Sequence, residues 1–171
     1  MQMTPDPLLG SLSANLVGAL GLALVLVVGP LVARRKAETA RLAAASGVLA
    51  MAVGLAVWLA PRVAAGTFQR YAWSGPGIVL GVVLYALGAG VLALQVAGPV
   101  YGFLRYGFVL PLGAAVAATA LSTFLFFQVG GEIGSFVLYV VLSPMAVGAI
   151  CGAFTFEFVA RRLNGSRPLS V

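Results

Sequence analysis

The sequence predicts an all-α, polytopic integral membrane protein with five transmembrane helices, its N-terminus outside and its C-terminus cytoplasmic. Three observations predict it. Of the 171 residues, 61% are hydrophobic and only 8% charged, whereas a soluble domain is about a quarter charged. The apolar residues fall into five runs parted by short polar or glycine-rich breaks, and about 20 apolar residues cross a bilayer as a helix. The basic residues gather at the ends of alternate runs, where orientation signals act. A mean hydropathy of +1.08 agrees, and residues 1–171 are expected to form a single membrane domain.

The first span is expected over about 8–33. Asp6 followed by Pro7 reads as an N-cap with proline in the first helical position. The run closes at Gly29-Pro30. Positive charge follows this run instead of preceding it, the reverse of a signal peptide, so an uncleaved span is expected. The loop 34–41 carries Arg34, Arg35, Lys36 and Arg41, four of the ten basic residues. A second span is expected over 42–61.

Residues 62–75 make the longest connection, an outer loop that ends in a turn signal with Ser74 as the helix cap. The third span is expected over 76–98, ending in Gly98-Pro99, with a short turn from Pro99 to Tyr106. The fourth is expected over 107–129, and the glycine-rich stretch 130–135, with Ser135 as a cap, separates it from the fifth. That last span is expected over 136–159 with a kink at Pro144, followed by the tail 160–171. With the N-terminus outside, the inner segments hold eight of the ten basic residues and the outer ones only Arg62 and Arg70. This bias sets the orientation. The Gly-Pro ending shared by the first and third spans is a thin signal for a parallel two-helix repeat.

Composition also excludes. Histidine is absent and Cys151 is the single cysteine, so neither an internal disulfide nor a His/Cys metal cluster can form. Haem ligation through histidine is excluded too. The net charge of +6 belongs to span ends and does not indicate a nucleic-acid partner. The sequence has no phosphate loop with lysine, no nucleophile elbow and no paired carboxylates in one span. No catalytic residue, cofactor or metal is therefore expected, and the protein is not expected to be an enzyme. Nine arginines to one lysine in an Ala/Gly/Val/Leu-rich chain suggest a GC-rich prokaryote and a multi-pass place in its plasma membrane.

Small residues recur at a spacing of four, among them Ala14/Gly18, Ser46/Ala50/Gly54, Ala86/Gly90, Ala114/Ala118 and Gly148/Gly152. Such pairs let helix backbones approach closely in lipid. Glu157 and Arg161 stand four apart and are expected to pair on one helix face. Candidate pathway or partner contacts are Gln95, Gln128, Glu132 and the hydroxyl face of Thr119, Ser122 and Thr123. Arg62 and Arg70, with Trp58, Tyr71 and Trp73, read as an interfacial belt whose arginines contact lipid headgroups.

These features point first to a small non-catalytic accessory or scaffold subunit. It would pack through Gly/Ala faces against other membrane subunits or itself. An oligomeric transporter or channel for a small substrate or ion is the alternative, and a lipid-binding membrane protein the next.

Overall fold

A computed structural model describes residues 6–32, 38–64, 76–129 and 134–164. They form five helices: α1 (Leu12–Val32), α2 (Thr39–Ala64), α3 (Pro76–Tyr106), α4 (Leu110–Phe126) and α5 (Gly134–Leu163). Two short strands, β1 (Asp6–Pro7) and β2 (Gln128–Val129), pair antiparallel. Four of the helices are long and apolar enough to cross a membrane, and α4 is the shorter exception at 17 residues.

That short helix is the hub. α1, α3 and α5 all pack on α4, while α2 lies mainly on α3. Nine of the 17 residues of α4 are buried, Leu112, Ala115, Ala118 and Phe126 among them. The directions follow from the contacts. Asn15 near the start of α1 meets Phe127 just past the end of α4, and Glu157 near the end of α5 meets the start of α4. Both helices therefore run antiparallel to α4. Arg41, Arg105, Arg161 and Arg162 stand at the end of the bundle where α4 begins, and Arg62 stands at the other.

Several sequence-based boundaries are corrected. α3 does not end at Gly98-Pro99 but continues as helix to Tyr106, so the expected turn over 99–106 is helical. Proline removes one backbone donor, and a helix packed on its neighbours tolerates that loss. The actual break lies at 107–109. There Gly107 adopts a left-handed φ of 69° and its amide bonds the Phe103 carbonyl at 2.8 Å, a glycine C-cap.

The expected N-cap at Asp6 is also displaced. Asp6–Pro7 pairs with β2, Gly10 turns the chain with φ 82°, and Ser11 caps α1 by accepting the Ala14 amide at 3.1 Å. α5 starts at Gly134, which puts Ser135 inside its first turn and not at the cap. Pro30, Pro61 and Pro144 all lie inside helices. The two Gly-Pro pairs now differ in place, one in the last turn of α1 and one two turns inside α3. Ser74 lies outside the described residues.

Small residues do divide into packed and open faces. Ser46, Gly47, Ala50 and Gly54 form the buried face of α2. A Cβ on Gly47 would lie 2.6 Å from the Ala93 carbonyl oxygen and 2.9 Å from the Ala97 Cβ, so α2 and α3 touch backbone to backbone. By contrast, a Cβ on Gly90, Gly113, Gly148 or Gly152 would meet nothing within 4 Å. Gly47→Val should therefore lower stability by about 1–3 kcal/mol through overpacking. Gly113→Ala should be neutral or slightly stabilising. Helix loss during titration of detergent-solubilised protein with sodium dodecyl sulfate, followed by circular dichroism, separates the two.

Candidate functional site

A 17-residue helix is about 25 Å long, shorter than the hydrocarbon core of about 30 Å. Its terminal amides and carbonyls would then lie within lipid depth, where each unpaired backbone group costs several kcal/mol. Among the described residues, Glu157 and Arg161 act at its first end and Asn15 and Arg62 at its last.

At the start of α4, Val109 occupies the N-cap position and offers no side-chain cap. Glu157 of α5 supplies one: its carboxylate accepts the Val109 amide at 3.1 Å and the Leu110 amide at 2.7 Å. Pro111 follows and has no amide to satisfy. Arg161, one turn on in α5, pairs with Glu157 and donates to the Tyr106 carbonyl at 2.9 Å and the Gly107 carbonyl at 2.6 Å. Its guanidinium also lies over the Phe108 ring, 4.9 Å from the centroid. One ion pair thus holds the end of α3, the 107–109 corner and the beginning of α4. The expected pairing of Glu157 with Arg161 is present, with a capping role added.

The far end is held differently. The Phe127 carbonyl accepts from the Leu8 amide at 2.9 Å and from Asn15 Nδ2 at 3.1 Å. Asn15 Oδ1 in turn accepts the Leu9 amide at 2.9 Å, so this fully buried amide is bonded at both ends. Arg62 donates to the Gln128 carbonyl at 3.0 Å and to the Trp58 carbonyl at 2.6 Å. Its guanidinium stacks over the Trp58 ring, 5.0 Å from the centroid. A carboxylate at the start of α4 and a guanidinium at its end both match the helix dipole.

Of the expected pathway residues, the structure brings Gln95 and Thr119 together. Thr119, Ser122 and Thr123 are buried. Ser122 bonds its own helix at the Ala118 carbonyl (2.8 Å), and Thr119 accepts Gln95 Nε2 at 3.2 Å. Gln128 belongs to the far cap through its main chain, and its side-chain oxygen is buried with no hydrogen-bond partner among the described residues. Glu132 and Arg70 lie outside the described residues, as do Tyr71 and Trp73. Arg62 directs two of its bonds inward to carbonyls. Trp58 is corrected from belt residue to core, 5% exposed and packed against both Tyr85 and Phe136, each ring centroid 5.1 Å from its own.

Between α3 and α5 lies a cleft of about 210 Å³ lined by Val91, Leu94, Gln95, Val147, Cys151 and Phe154, with Gly98, Pro99 and Ile150 completing it. Its lining is apolar except for Gln95 and the Cys151 thiol. Among the described residues no group of His, Cys, Asp and Glu is placed to hold a metal ion.

Glu157→Ala would leave Arg161 without its counterion and two amides without acceptors. Breaking a fully buried pair in this way costs about 3–5 kcal/mol, and this partly buried pair should cost less than that upper figure. Glu157→Gln keeps an acceptor and should lose less, and Arg161→Ala added to Glu157→Ala should cost less than the two single changes summed. Thermal unfolding in detergent measures the four variants against wild type.

The chain matches no protein-family model, no curated protein and no solved structure.

Proposed function

We propose that this protein is a small, non-catalytic accessory or scaffold subunit of a membrane complex, with its N-terminus outside and its C-terminus in the cytoplasm. The observation that carries the reading is a set of open small-residue positions. Gly90 on α3, and Gly148 and Gly152 on α5, have free space where a side chain would stand. Close helix contact in lipid uses such backbone-exposing faces. The inward commitment of the polar groups supports it further. Asn15, Arg62, Glu157 and Arg161 hold the ends of α4, and Gln95 and Ser122 bond within the bundle. These bonds favour a packing role over a water-lined route through the same residues.

Native mass spectrometry of the protein, extracted gently from its own membrane, should find it in a complex of defined stoichiometry. Replacing Gly148 and Gly152 together by leucine should reduce that complex several-fold without lowering the unfolding midpoint of the isolated chain. A wild-type chain found only as a monomer would overturn the reading.

The orientation is tested separately. Fused at Val171, green fluorescent protein should fluoresce and alkaline phosphatase should be inactive; the opposite pair of results reverses the topology.

A further inference from the structure

The end of the bundle where α4 begins carries more positive charge than its own acids balance. Four arginines are described there, Arg41, Arg105, Arg161 and Arg162, with two carboxylates, Glu38 and Glu157. Both carboxylates are taken. Glu38 pairs with Arg41 at 3.2 Å, and Glu157 is shared between Arg161 and the Val109 and Leu110 amides. Arg105 and Arg162 are exposed, and neither has an acid partner among the described residues. Orientation during insertion needs only a loop's basic residues. It does not require two guanidiniums to stay unpaired once the chain has folded.

The surroundings of these two side chains decide what supplies the missing anion. Arg162 lies over the exposed Phe158 ring, 5.1 Å from its centroid, and Leu163 beside it is 82% exposed. Arg105 has exposed Tyr101 one turn before it and exposed Tyr106 next to it, their rings edge to face. Each arginine is thus bracketed along its helix by exposed apolar or aromatic surface. Such a side chain lays its stem on hydrocarbon and carries its charge to the headgroup layer, the level at which aromatic rings also collect. A soluble polyanion would have to enter that layer, whereas lipid phosphates already occupy it. The charge surplus then selects among lipids. A zwitterionic headgroup brings a cation to its own phosphate, and an anionic one does not. Guanidinium suits phosphate because its planar fork bonds two oxygens at once.

We propose that the ends of α3 and α5 bearing Arg105 and Arg162 form a binding surface for anionic phospholipids, whose phosphates neutralise the two guanidiniums that the fold leaves over. This surface lies at the opposite end of the bundle from Arg62, where the sequence suggested headgroup contacts and where Arg62 bonds the Trp58 and Gln128 carbonyls. The surface is defined without Arg34, Arg35, Lys36 and Arg167, which lie outside the described residues. The inference requires a membrane-spanning chain and is independent of the subunit reading.

The probes are phosphatidylglycerol and phosphatidylcholine with identical acyl chains, so that only the headgroup differs. Full-length protein in detergent is equilibrated with equal amounts of both, and the lipids it retains are counted by native mass spectrometry. An arginine near an anionic surface is worth roughly 5-fold in binding, so two should favour phosphatidylglycerol by about 10- to 30-fold. Replacing both, Arg105→Gln with Arg162→Gln, should lower that preference by roughly 5-fold or more. Inorganic phosphate added in excess should leave the bound phosphatidylglycerol in place. Equal retention of the two lipids by wild type overturns the proposal, and that comparison needs no variant to fold. A preference undiminished in the double variant overturns it as well. Displacement by inorganic phosphate overturns it in favour of a site for a free anion. If the lipid preference fails while a defined complex is still found, only the lipid surface is wrong and the subunit reading stands.

Discussion

The constraint on which the rest of the structure depends is the shortness of α4. A helix that stops inside lipid leaves amides at one end and carbonyls at the other with no water to bond them. This protein answers with side chains from helices remote in sequence. Glu157 and Arg161 come from the last helix, Asn15 from the first and Arg62 from the second. The far cap also takes in main chain, since the residues before α1 form a short antiparallel pair with those after α4. The bundle is thus closed by polar contacts at its two ends and by small-residue packing along its length.

That division explains an otherwise odd distribution of polarity. A chain this apolar carries few hydrogen-bonding side chains, and each one placed in lipid needs a partner. Most of those described are bonded to main chain and not to one another. Gln95 departs from the pattern, being bonded to another side chain and on one side only. Tyr139, also buried, has a hydroxyl without a partner among the described residues. It sits within the aromatic cluster of Phe126 and Phe136, where its ring contributes to packing independently of its hydroxyl.

Much of the architecture was legible in the sequence. Five apolar runs gave five helices, and the spacing of Glu157 and Arg161 gave their ion pair. The face formed by Ser46, Ala50 and Gly54 was readable as packing. The boundaries were less legible because Gly-Pro is ambiguous. In water it ends a helix, but in a packed apolar bundle α3 runs through it and stops only where Gly107 takes a left-handed conformation. The caps were not legible at all. Asn15 and Arg62 act on carbonyls 112 and 66 residues away, and no local pattern encodes that distance. Their only trace was that a polar residue within an apolar run must be bonded to something. Arg62 beside Trp58 resembled an interfacial belt because the same two residue types serve both purposes, and burial alone distinguishes them.

The bond between Asn15 and the Phe127 carbonyl has a consequence in time. A ribosome adding about 5–20 residues per second needs roughly 6 to 22 seconds to make the intervening chain. During that interval α1 lies in the membrane with its principal seat, α4, not yet synthesised. Its asparagine must be provisioned by water, lipid or the insertion machinery until the fourth helix arrives. α1 is therefore made well before it can find its place, and the bundle closes only as α4 and α5 emerge.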